Sequence, residues 1–153
     1  MSAASKTNIN AGRWIAALYD FAIHGGAVGD IPLRVRVPKN AVVVNSFAQV
    51  AVVPTGASAT IGVKLEAAGD IFAVAAISGA PWSATGIQLG LARYTPAIDL
   101  GSGDGTDETI DDSAAAAYVV TTAERELTLS VGTAALTAGK INIFLEYVVN
   151  TTA

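Results

Sequence analysis

Cysteine is absent from this sequence, and histidine occurs once, at position 24. Without cysteine there is no disulfide framework and no thiolate zinc site. With one histidine, any Ser-His-Asp triad has to use His24, and no GxSxG elbow accompanies it. The HExxH pattern is missing. Gly139-Lys140 is followed by Ile141, not by the Ser or Thr of a phosphate-binding loop, and Gly25, Gly26 and Gly29 do not fit GxGxxG because position 24 is His. Beside two glycines, His24 reads as a turn residue. The motifs assign no catalytic residue, no metal ligand and no cofactor.

Charge is scarce as well. Charged residues make up 14% of the chain, against about 25% in ordinary soluble domains. The nine basic residues are scattered and the net charge is −4, so the dense Lys/Arg face that grips a nucleic-acid backbone is missing. Two windows, 40–63 and 71–92, carry no charge at all. Each is long enough to raise the question of a membrane-spanning helix. Asn45, Gln49, Pro54 and Gly56 break the first, however, and Gly79, Pro81, Ser83 and Gln88 break the second. They read as short strands with no membrane role. A charge-poor strand surface either covers something or is covered. Residues 1–12 contain no apolar stretch of the signal-peptide kind, so the expectation is synthesis in the cytoplasm.

What the chain does contain is alternation. Leu127, Leu129 and Val131 alternate with Glu126, Thr128 and Ser130; Ile141, Ile143, Leu145 and Tyr147 alternate with Asn142, Phe144, Glu146 and Val148. A period of two is the mark of strands, whose successive side chains point to opposite faces. The small residues of 132–139 predict a hairpin connection between these two strands. Residues 145–148 are apolar on both faces apart from Glu146, which predicts a strand covered on both sides. Residues 126–131 keep a polar face.

Upstream, Ile31, Leu33, Val35 and Val37 face one way and Pro32, Arg34 and Arg36 the other; Pro32 suits a strand start or an edge. Residues 41–53 form a long β-branched run, read as a central, two-sided strand ended by Pro54-Thr55-Gly56. Residues 60–66 alternate again, and 67–70 make a turn. Residues 71–77 fit a helical turn or a strand. Residues 79–82 read as a loop, and 86–94 and 118–122 as further strands. Residues 13–23 give a first strand with Trp14, Tyr19 and Phe21, and allow a short amphipathic helix at its start. About eight strands separated by turn signals, with no long helix, predict an all-β fold: an antiparallel, jelly-roll-like β-sandwich. The sandwich occupies residues 13–153, and residues 1–12 form a flexible N-terminal arm expected to reach a neighbouring subunit. A domain of this size buries a sizeable core without a metal or disulfide.

Four side chains are candidate interface anchors. Trp14 and Trp82 fit either a core or a contact surface, since tryptophan is enriched at interface centres. Arg34 and Arg36 fit either an acidic partner or a solvated face. The acidic stretch 101–112 holds Asp104, Asp107, Glu108, Asp111 and Asp112, oxygen ligands of the kind Ca²⁺ takes. Within it SGDGTDET partly matches the GGxGxDxUx nonapeptide, which works in tandem copies and occurs here once. The stretch therefore reads as a solvated loop, and a Ca-dependent carbohydrate-binding β-sandwich module stays as an alternative.

The ordered segments resemble the capsid decoration, or cement, proteins of tailed bacteriophages. The residues that carry the resemblance are Tyr19-Asp20-Phe21-Ala22 with Gly25-Gly26-Ala27-Val28-Gly29, Ile31-Pro32-Leu33, Val37-Pro38 and Thr60-Ile61-Gly62-Val63. Ala68-Gly69-Asp70-Ile71, Leu136-Thr137-Ala138-Gly139-Lys140-Ile141 and Leu145-Glu146-Tyr147-Val148 complete it. The middle, 79–117, carries none of it. The resemblance implies a non-enzymatic virion protein, a homotrimer bound to the major capsid protein on the outside of a shell. It implies no catalytic or ligand residue. A head-fibre or tail accessory protein is the structural alternative.

Overall fold

The computed structural model describes residues 12–93 and 118–149. These form nine strands and one short helix: β1 (Arg13–Asp20), α1 (Phe21–His24), β2 (Gly29–Val37), β3 (Ala41–Thr55), β4 (Thr60–Lys64), β5 (Phe72–Ala76), β6 (Gly86–Arg93), β7 (Val119–Val120), β8 (Arg125–Gly132) and β9 (Ala138–Val149). Two antiparallel sheets result. Sheet A has the order β1-β9-β3-β6, with β7 continuing the β6 position along β3; sheet B has the order β2-β8-β4-β5. The all-β sandwich expected from the alternation is what forms. No helix among the described residues is long and apolar enough to cross a membrane.

Consecutive strands mostly change sheet, and β4–β5 is the hairpin that stays within one. The predicted hairpin between the last two long strands is therefore corrected. β8 pairs with β2 and β4, whereas β9 pairs with β1 and β3. The 132–139 connection bends instead across the end of the sandwich. Thr133 takes a φ of 65°, Leu136 is buried, and its N–H donates to the Gly26 carbonyl at 2.8 Å. Alternation assigns faces but not partners, so a corner and a hairpin look alike in sequence. At that corner a Cβ on Gly26 would collide with Leu136 backbone, which is why glycine stands there.

The inner faces make one core. Tyr19, Val43, Val50, Ile141, Ile143 and Leu145 come from sheet A, and Val37, Ile61, Val63, Leu127 and Leu129 from sheet B; each is essentially fully buried. Three further expectations change. The helix lies at the end of the first strand, not its start: the Asp20 carboxylate accepts from the Ala22 N–H at 3.0 Å and caps it. β3 runs on through Pro54 to Thr55, and it is central but one-sided, with buried and half-exposed residues alternating up to Val50. β9 is likewise buried on its inner side, while Phe144, Glu146 and Val148 are only half-buried.

Trp82, in the connection from β5 to β6, is completely buried. Its ring lies 5.1 Å from that of Phe72, and its indole N–H donates to the Ile61 carbonyl at 3.1 Å. Trp82→Ala is expected to cost about 3–5 kcal/mol, read as a lower urea midpoint. A midpoint equal to that of the unaltered protein would show that the indole does not close the core.

Candidate contact face

The two outer faces of the sandwich differ in chemistry. On sheet A the register sets Ala16 of β1 against Phe144 of β9, Phe144 against Phe47 of β3, and Phe47 against Leu89 of β6. A second row runs Leu18, Asn142, Gln49 and Ile87. The Phe47 and Phe144 rings stack at 4.7 Å, and Trp14 packs edge-on against Phe47 at 5.7 Å. Such aromatic pairs add about 0.5–1.5 kcal/mol beyond the area they bury, so the centre of the face is held in shape. Its surroundings stay open to water: Trp14 is 53% exposed, Ile87 58% and Leu89 66%, and Leu91 and Val120 are exposed as well. Glu146 is the one carboxylate in the middle, and it accepts from the Asn45 amide at 2.9 Å. Covering apolar surface of this kind is favourable by about 25 cal/mol per Å².

The outer face of sheet B is polar and pairs with itself. Asp30 accepts from the Lys64 ammonium and, at 2.8 Å, from the Ser130 hydroxyl, and these bonds hold its carboxyl below the ordinary range. Arg36 meets Glu124 at 2.8 Å. Beyond this face, at the end of the sandwich and on the inward parity of β8, Arg125 donates twice to Glu66, at 2.7 and 2.9 Å, and Thr122 adds its hydroxyl. The Arg125 bonds first, and those of Thr122 after them, draw the Glu66 carboxyl down to about 2. Exposed ion pairs contribute little to stability. They make this face compatible with water.

The four candidate anchors are dispersed. Trp14 belongs to the apolar face. Trp82 fills the core and offers the isolated chain no surface. Arg34 and Arg36 lie on sheet B and are both exposed, and Arg34, at a φ of 60°, falls within a register jump between Pro32 and Arg36. Arg36 is already paired with Glu124. His24 ends α1, stacks on Tyr19 at 5.9 Å and lies 3.1 Å from both the N–H and the carbonyl of Asp20. The Tyr19 hydroxyl donates to the Gly25 carbonyl at 2.8 Å, and burial, with Asp20 nearby, pushes this phenol up to about 12. His24 is thus built into a corner. The acidic stretch 101–112 and residues 1–11 of the arm lie outside the described residues, among which no three His, Asp or Glu side chains converge to hold a metal ion.

Sequence reasoning passed over Phe47, Phe144, Ile87 and Leu89 as contact residues. The signal was present in 86–91, where Ile87, Leu89 and Leu91 alternate with Gly86, Gln88 and Gly90. Gly90 faces inward, where a Cβ would overlap the Ser46 hydroxyl, so the large apolar residues of this stretch are all on the outside.

No family model and no curated protein matches the sequence. Solved structures do. One chain of the acidic stable capsid structure of Helicobacter pylori bacteriophage KHP30 aligns with a TM-score of 0.56 at 13% identity, over 92% of this chain and 90% of that one. A chain of the cyanophage Pam1 capsid asymmetric unit gives 0.57 at 13%, over 98% and 93%. A chain of the capsid of Ralstonia phage GP4 gives 0.52 at 19%, over 91% and 86%. At such identities the likeness is one of fold.

Because Glu66 ionises more readily in the folded chain than in the unfolded one, its stabilising effect is present above pH 4.5 and is lost as pH falls from there towards 2. Glu66→Gln is expected to flatten this acid limb. Urea midpoints at pH 6 and pH 3 measure it: a drop as large in the variant as in the parent would remove Glu66 as its source.

Proposed function

We propose that the protein is a non-enzymatic structural component of a bacteriophage virion. It decorates the outer surface of the capsid as a cement protein, with the major capsid protein as partner. The observation that carries this reading is the contrast between the two outer faces. A sandwich that pairs its charges on one side and leaves Trp14, Ile87, Leu89 and Leu91 open on the other has one side for water and one for contact. The fold likeness to chains of three phage capsid structures supports the same class, as do the residues that resemble decoration proteins.

The strand orders also support a jelly roll, since all but one of the long-strand connections cross between sheets as its paired Greek keys require. Size supports an oligomer. Four strands about 4.8 Å apart and eight residues long present roughly 500 Å² of flat face, below the about 800 Å² per partner of a standard stable interface. A homotrimer multiplies that contact by avidity. A ligand that binds only the assembled shell stabilises it by mass action. The protein is made in the host cytoplasm and resides on the capsid exterior.

Co-sedimentation with expanded shells tests the reading. Leu89→Asp, on the apolar face, is expected to weaken binding by tenfold or more, about 1.4 kcal/mol, with unchanged circular dichroism. Thr128→Asp, on sheet B, is expected to bind like the parent. Equal binding of all three proteins would sink the assignment of the face. Binding to purified tails in place of shells would move the protein to the head-fibre or tail accessory class.

A further inference from the structure

Three of the four sheet edges are blunted. β2 carries Pro32 and the register jump at Arg34. β5 is five residues long and shifts register along β4. On the outer side of β6, the Leu91 N–H already donates to the Ile71 carbonyl at 2.8 Å. Natural sheets use such devices to keep edges from pairing with other chains. β1 has none of them. It contains no proline or glycine and runs in eight unbroken pairs along β9, its sole strand partner among the described residues.

The hydrogen-bonding groups on that edge can be identified, because strand residues alternate sides. Leu91 turns its N–H away from β3, so Gln88 turns its own towards Ala48. Carried across β3 and β9, the alternation points Ala17 at Ile143 and leaves the N–H and C=O of Trp14, Ala16 and Leu18 on the open side. The end of the strand agrees. Asp20 has the same parity, and its N–H and C=O both meet His24 instead of β9.

From this we infer that β1 pairs with β1 of a second copy, antiparallel and centred on Ala16. The two-fold axis of such a pair stands normal to the sheet, so opposed residues must share a face. Centring on Ala16 opposes Ala16 to itself and Trp14 to Leu18 of the other copy, on the outer face. All three have edge groups with no partner among the described residues, which gives about six hydrogen bonds. Centring on Ala17 opposes Trp14 to Asp20, a carboxylate whose backbone is already occupied by His24. The favoured register closes both open edges at once, as an isologous contact does. It also turns both apolar faces to the same side, so two copies present one surface eight strands wide. With the axis normal to that surface, copies from neighbouring trimers can lie side by side on one shell.

The chain has no cysteine, so one introduced thiol reports one distance. Opposed Cα atoms in a hydrogen-bonded pair stand about 5.5 Å apart, within disulfide reach, whereas two Leu18 positions in this register stand roughly 14 Å apart. Ala16→Cys is expected to give a disulfide-linked dimer under mild oxidation, and Leu18→Cys is not. Ala16→Pro removes an edge N–H and no bond to β9; it is expected to keep its circular dichroism and to weaken self-association about tenfold by sedimentation. Equal cross-linking at both positions, no cross-linking at either, or unchanged association of a folded Ala16→Pro protein overturns the contact. If Ala16→Pro fails to fold, the two cysteine variants decide alone. Cross-linking at position 16 in a protein that does not bind shells counts against the proposed function and leaves the edge contact standing.

Discussion

The register of β9 is the constraint on which the rest of the molecule depends. This strand is paired along its length with β1 on one side and β3 on the other. A slip of one residue would turn Ile141, Ile143, Leu145 and Tyr147 out to solvent and bring Phe144, Glu146 and Lys140 into the core. The register is held by the buried set itself. It is held also by bulges in β3 after Val43, Val50 and Val52, which let a strand of fifteen residues follow one of twelve. Once β9 is in place, the inner face of sheet A, its outer face and the hydrogen-bonding phase of β1 are all determined.

The difference between the outer faces follows from where charge is placed. On the outer side of sheet B, Asp30 is paired with Lys64 and Arg36 with Glu124. Sheet A has Glu146 in the middle, held by Asn45, and the Asp20–Lys140 pair, at 3.3 Å, at one end. The low charge content of the chain is therefore not spread evenly. It reflects one sheet whose outward positions were filled with Trp, Phe, Leu and Ile.

Much of the architecture was legible locally. Alternation at 31–37, 60–66, 126–131 and 141–147 reports strands and their buried sides, because a half-buried strand must place like residues two apart. The turn at 67–70 was legible for a similar reason: Asp70 folds back to accept from the N–H groups of Leu65, Glu66 and Ala67, a local contact that Asp and Gly together advertise. The 71–77 segment was ambiguous because Phe72 and Ala73–Ala76 form a short edge strand whose outward residues are small and apolar, so polar contrast is lost. Trp82 could not be placed, since a tryptophan in a loop serves a core as readily as an interface.

By itself the sequence determined that the chain is all-β, which side chains share a face in the alternating runs 31–37, 60–66 and 126–131, and that no cysteine, histidine pair or phosphate loop supplies chemistry. These follow from residue type and a period of two, both local properties. Only the tertiary structure decided that the last two long strands belong to opposite sheets. It alone brought Trp14, Phe47, Leu89 and Phe144 together from four separated segments, and it alone left β1 as the unblunted edge. Partner choice is settled by burial between residues far apart in the chain, and no local pattern records it.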